Sequence, residues 1–216
     1  MAGAIPSLLS EVELNSATGM GKIKLQTNHP TECGFANVIV PSSLITTTVP
    51  ILPTITLTEG DLPEQDPSAD YPFGLVEFSL YCPGFLGGSE VPPSANGVHM
   101  TVDVYMTFEG AGSMEGQIFK KYGPTPDNET PHWYDFSWNG ETGVVNITGN
   151  RVTLRYVDTL RGDDNRIEDF AIFDQIGPTD GPASVPSMTE WGMIIFLVLA
   201  GLGSIYSLKR KRRTEI

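Results

Sequence analysis

Seven carboxylate or carboxamide side chains crowd into seventeen residues towards the end of the body of this chain: Asp158, Asp163, Asp164, Asn165, Glu168, Asp169 and Asp174. Hard oxygens gathered this closely are what a calcium ion requires, and Asp158, Asp163, Asp164 and Asn165 are the candidate ligands. The spacing is not that of an EF-hand, because Gly162 precedes the acids instead of following them at the sixth loop position. The same cluster admits a different chemistry. Two carboxylates held about 5 to 9.5 Å apart can hydrolyse a glycosidic bond by general acid–base or nucleophilic work. A plain solvated acidic loop is the third reading, and the residues leave all three open.

Other chemical signatures are thin. His29, His99 and His132 are scattered, with no HExxH pair and no helix to bring two of them to one face. No GxSxG nucleophile elbow occurs. Gly110, Gly112 and Gly116 lie between two candidate strands, whereas a phosphate cradle needs a helix N-terminus, so they read as a glycine-rich β-turn. Arg161, Gly162 and Asp163 spell RGD, a tripeptide too short to carry weight. Trp133, Tyr134, Phe136 and Trp138 form the densest aromatic cluster, and alternation puts Trp133 and Tyr134 on opposite faces, so at least one belongs to the core. Cys33 and Cys82 lack the CxxC spacing of a zinc or redox site. They form either one disulfide, in an oxidising compartment, or two separate buried thiols. Apart from calcium no cofactor is implied.

The elements that must position these residues read as β throughout. The clearest is 98–108, where Val98, Met100, Val102, Val104, Met106 and Phe108 alternate with polar neighbours, giving one buried and one wet face. A second runs over 151–157, with Val152, Leu154 and Tyr156 on one side. Shorter strands are expected at 22–27, 36–40, 54–57, 75–80, 117–122, 133–137, 144–148 and 170–173. No stretch before Trp191 sustains a helical period, and parallel sheets need crossover helices, so the expected fold is all-β, an antiparallel β-sandwich spanning 21–178. Residues 1–20 are expected to be irregular and to continue a longer protein, and 59–72 to form an exposed acidic loop.

Beyond a stalk at 179–190, residues 191–208 carry no charge and are followed by Lys209, Arg210, Lys211, Arg212 and Arg213 in a tail of 209–216. At about 1.5 Å per helical residue the uncharged stretch reaches roughly 27 Å, close to the roughly 30 Å hydrocarbon core of a bilayer. A single C-terminal transmembrane helix is therefore expected, with the basic cluster as its cytoplasmic stop and Trp191 at the opposite interface. The body then lies outside the cytoplasm. MAGAIPSLLSEVELN holds no cation and its apolar run is broken by Pro6, so the export signal is expected upstream. Net charge is −13 despite the basic tail, which excludes nucleic acid as a partner.

The segment VPSMTEWG at 185–192, with the span and KRKRR behind it, resembles the bacterial IPTL-CTERM sorting signal, IPTLxxWG followed by a span and a basic end. Pro186, Trp191 and Gly192 match it outright; Val185, Ser187 and Met188 stand for Ile, Thr and Leu. The resemblance implies recognition by a membrane-embedded exosortase-type transpeptidase in a Gram-negative bacterium. A second resemblance covers the body. KYGPTPDNETPHWYDF at 121–136, VTLRYVDTLRGDDN at 152–165, ECGFANV and YPFGLVEFSLYCPG are similar to the choice-of-anchor U domain, whose NGVIVDPGGP-like last segment is here EDFAIFDQIGP. That family brings no catalytic residues to transfer. Together the resemblances imply a noncatalytic exported envelope protein, in the inner membrane with its body outside or at the cell surface after sorting, serving attachment or matrix assembly. A fragment of an exported glycan-active hydrolase and a calcium-stabilised spacer remain the competing expectations.

Overall fold

Period-two alternation is realised most fully in the strand Thr101–Glu109 (β7), where Val102, Val104, Met106 and Phe108 are completely buried while Thr101 and Glu109 are exposed. In this computed structural model residues 8–37, 52–86 and 99–180 are described. The chain divides into two units, Met1–Gly181 and Pro182–Ile216, and the strands all belong to the first.

Around β7 the other strands are β1 (Leu8–Leu9), β2 (Glu11–Asn15), β3 (Lys22–Thr27), β4 (Gly34–Ala36), β5 (Ile55–Leu57), β6 (Leu75–Tyr81), β8 (Ile118–Thr125), β9 (Asn128–Asp135), β10 (Gly143–Thr148), β11 (Arg151–Val157) and β12 (Ala171–Thr179). They form two antiparallel sheets. One runs β10-β11-β7-β3-β2 and the other β1-β4-β6-β12-β8-β9, with β5 paired to β6 beside β4. Among the described residues there is no α-helix, only two short 3-10 turns, so the all-β expectation holds. The apolar faces of the sheets share one core, and rings close the gap: Phe73 meets Phe108 at 5.1 Å, Phe78 meets Tyr156 at 5.7 Å and Phe136 stacks on Tyr156 at 5.2 Å. Each such side chain removed from water contributes roughly 1.5–3 kcal/mol.

Two elements depart from expectation. Residues before 21 are not wholly irregular: β2 pairs with β3 from Glu11↔Gln26 to Asn15↔Lys22. It is an edge strand in which only Val12 and Leu14 turn inward, too short an alternation to stand out against its Glu and Asn neighbours. β12 runs on to Thr179, well past the apolar run at 170–173, because Gly177 and Pro178 sit in the ladder opposite Lys120 and Phe119. Pro178 lacks an N–H and would ordinarily mark a strand's end.

Cys33 and Cys82 are joined in a disulfide across a sequence separation of 49 residues. They flank the β4–β6 pairing of Gly34↔Tyr81, so the bond extends that ladder by a covalent rung. Closing such a loop is worth about 2–4 kcal/mol. Among the described residues no helix is long and apolar enough to cross a membrane. The expected span 191–208, the motif at 185–192 and the basic tail lie outside the described residues.

Candidate functional site

β8 and β12 lie side by side, and each carries one charged residue on the face that should be apolar. On β8 that face holds Phe119, Lys121 and Gly123; on β12 it holds Ile172, Asp174 and Ile176. Lys121 stands opposite Ile176, which makes Asp174 its diagonal neighbour, within reach of a long side chain. Both side chains are completely shut from solvent and form an ion pair through Lys121 Nζ and Asp174 Oδ1. Tyr156, on the facing sheet, donates its hydroxyl to Asp174 Oδ2. Lys121 Nζ also donates to the Gly162 carbonyl at 2.7 Å and lies 3.4 Å from Asp164 Oδ1. The Phe136 and Tyr156 rings flank the same ammonium, at 5.3 and 5.8 Å from their centroids.

The loop between β11 and β12 supplies the remaining acids and turns them inward. Asp158 Oδ2 accepts the backbone N–H groups of Asp169 and Phe170 at 3.3 and 2.9 Å. Asp163 accepts from Thr159 N at 3.0 Å and from Phe173 N at 3.3 Å. Asn165 donates to Asp169 Oδ2 at 2.8 Å, while Asp169 Oδ1 caps Ala171 N at 3.0 Å. Three non-glycine residues with positive φ, Thr159, Arg166 and Phe170, bend the loop into this shape. At Gly162, φ is +106° and an added Cβ would sit 2.7 Å from Phe136, so only glycine lets the loop close over the aromatic floor. Arg161 holds the loop from outside, its guanidinium donating to the Ser137 and Thr142 carbonyls.

Burial dominates the electrostatics. It pushes the Asp158 carboxyl up to about 7, reinforced by Asp169 and Glu168 and opposed by the two backbone amides. It pushes Asp164 up to about 7 as well, against the pull of Lys121. Asp163, Asp174 and Tyr156 are raised for the same first reason. Burial disfavours the Lys121 charge too, but Asp164 and Asp174 outweigh it and hold the amine protonated.

The four candidate calcium ligands therefore part company. Asp158 and Asp163 serve backbone amides, Asp164 faces Lys121, and Asn165 bonds within its own loop. Among the described residues no group of three or more His, Cys, Asp or Glu is placed to hold a metal ion. The cluster is not a plain solvated one: Asp158, Asp163 and Asp169 are buried, and they serve as structural props. Of the five aspartates Asp158, Asp163, Asp164, Asp169 and Asp174, only Asp164 is not fully buried, its side chain 21 % exposed, and with Asp61, Glu77, Tyr122, Glu129 and Gln175 it lines a surface groove of about 480 Å³. Of the aromatic cluster, Phe136 is core, Trp138 is exposed, and Trp133 packs against Tyr71 and Tyr122 while its Nε1 donates to Glu64 O at 2.9 Å.

Sequence reasoning missed Lys121 altogether. Its signal was available: a lysine two residues after Phe119, at a position where alternation calls for an apolar side chain, matched by an aspartate between Ile172 and Ile176. Comparison with family profiles, with curated proteins and with solved structures finds no match to this chain, so its site is known by its own geometry.

Proposed function

We propose that the chain is a noncatalytic exported envelope protein, a β-sandwich carried on a C-terminal sorting and anchoring segment and serving surface attachment or matrix assembly. The observation that carries this reading is the Cys33–Cys82 disulfide, a bond that persists in oxidising compartments and is rare in the cytosol. It agrees with the uncharged stretch 191–208 and the cations Lys209 to Arg213, which favour a body outside the cytoplasm. Noncatalytic use is supported by the acids themselves. A glycosidase needs two carboxylates facing a substrate across a cleft. Asp158 and Asp163 face backbone amides instead. On the resemblance of 185–192 to IPTL-CTERM signals, the partner is an exosortase-type transpeptidase in the inner membrane.

Cell fractionation with C-terminal mass spectrometry tests the reading. The protein is expected either in the inner membrane with Ile216 intact or at the surface with a new terminus near 185–192, its cysteines oxidised in both cases. A soluble cytoplasmic protein with two alkylatable thiols would overturn it.

A further inference from the structure

Lys121 and Asp174 meet in a way that an ordinary internal ion pair does not. Neither side chain has any exposure, so no water hydrates either charge. Nζ is in contact with Asp174 Oδ1, yet that oxygen accepts no hydrogen bond of acceptable angle. The nitrogen thus approaches the carboxyl group away from the directions a hydrogen bond prefers. The other oxygen, Oδ2, is held by the Tyr156 hydroxyl. The Gly162 carbonyl and the Phe136 and Tyr156 rings fix the lysine tip from its remaining sides.

The geometry points to a covalent cross-link made by the protein itself: an amide bond between Lys121 Nζ and Asp174 Cγ that joins β8 to β12. The step is balanced within the pair. One proton passes from the ammonium to the carboxylate, leaving a neutral amine with a free lone pair and a neutral acid, two forms that cost little to hold in a dry interior. The amine lone pair then forms the C–N bond at Cγ, a second proton leaves Nζ, and the bond from Cγ to Oδ1 breaks. Oδ1 departs as water with those two protons, and Oδ2 becomes the amide oxygen. No oxidant, metal or cofactor enters. The Tyr156 hydroxyl on Oδ2 stabilises the negative charge that develops there in the tetrahedral intermediate. Asp164, 3.4 Å from Nζ, carries protons between the nitrogen and the departing oxygen. Its opening to the surface groove gives the released water a way out of a site that otherwise excludes it. Confinement of both reactants by the packed strands replaces the encounter that such a condensation lacks in solution.

The placement gives the bond a use. β12 is the strand from which the chain continues to its C-terminal segment, so any pull on that end reaches residue 174 after only a few residues of ladder. Linked to Lys121, the strand could not be drawn out of the sheet, whatever becomes of the tail. Bond formation therefore stands or falls separately from export and anchoring.

Digestion of the purified full-length protein followed by tandem mass spectrometry tests the bond. A branched peptide containing Lys121 and Asp174, lighter by one water than its two parts, is expected from the folded wild-type chain and from no sample of Lys121→Arg or Asp174→Ala. Lys121→Arg keeps a cation in the site and so distinguishes loss of the link from loss of the fold, checked by circular dichroism. Asp164→Asn is expected to fold with the two peptides separate. Separate peptides from folded wild-type protein would overturn the cross-link, and a fully joined Asp164→Asn protein would overturn the part given to Asp164.

Discussion

The two inner faces of the sandwich hold together by different physics. On the five-stranded sheet, Ile23, Leu25, Val102, Val104, Met106, Phe108, Val152 and Leu154 present an apolar surface, with Tyr156 near one end. On the other sheet, Phe78, Leu80, Phe119 and Ile176 surround a lysine, an aspartate and a tyrosine hydroxyl that reaches over from β11. Burial on the first face is non-directional, and residues of similar volume are interchangeable there. On the second face each charge is tolerated only because a particular partner answers it, and removing one partner leaves the other without compensation in a dry interior.

Lys121→Met breaks this comparison most directly. It keeps the volume, leaves the Asp174 carboxyl buried without a partner and prevents the amide bond, and the expected loss is about 3–5 kcal/mol or more in urea denaturation near neutral pH. Leu25→Met, a swap of similar size on the opposite face, is expected to cost less than about 1.5 kcal/mol. Equal losses would mean that the faces do not differ in the way described.

The same contrast explains what was legible in the sequence. β3, β7 and β11 announce themselves because their alternation of apolar and polar residues is the physical requirement of a half-buried strand. The inner positions of β8 and β12 break that alternation with Lys121 and Asp174, so β8 read as a short strand and β12 shorter still. The acids at 158–174 were legible as a cluster but not in their orientation. Clustered carboxylates suggest water or a cation; that Asp158 and Asp163 turn to backbone amides follows from three positive-φ residues that composition does not signal. Trp133 and Tyr134 do fall on opposite faces, as pleating requires. The disulfide needed the β4–β6 register, which brings residues 49 apart together.

A pH series sharpens the comparison further. Asp158 and Asp164 are pushed up to about 7 by burial, so the folded protein keeps protons that the unfolded chain releases above about pH 4. Stability from these groups is fully present at the acid end and falls as pH rises from about 4 to about 7. Asp66 has the opposite sign. Burial opposes its charge, but Lys120 and Ser68 outweigh burial and hold its carboxyl down to about 2. Its contribution is present above about pH 4 and is lost as pH falls towards 2. Thermal unfolding should therefore peak between about pH 4 and 6, with Tm lower by roughly 5 °C at pH 8, and Asp158→Asn should flatten the alkaline side. A Tm that climbs steadily from pH 5 to pH 8 would contradict the burial of unneutralised acids in the loop between β11 and β12.

The smallest effect belongs to a second cross-strand pair of opposite charges, one that water reaches. Arg155 on β11 and Asp103 on β7 are direct ladder partners and meet through two hydrogen bonds, Nε to Oδ1 at 2.7 Å and Nη2 to Oδ2 at 2.9 Å. The bond geometry is good, and Asp103 raises the guanidinium's affinity for its proton. Yet the Arg155 side chain is 38 % exposed, so water repays most of what the pair would lose on separation. Arg155→Met is expected to cost less than about 1 kcal/mol, and that cost should shrink further in high salt, where exposed charges are screened. The cost of Lys121→Met should not change with salt, because no ion reaches Nζ or Asp174. If both substitutions cost alike, or respond alike to salt, the exclusion of water is not what sets the two pairs apart.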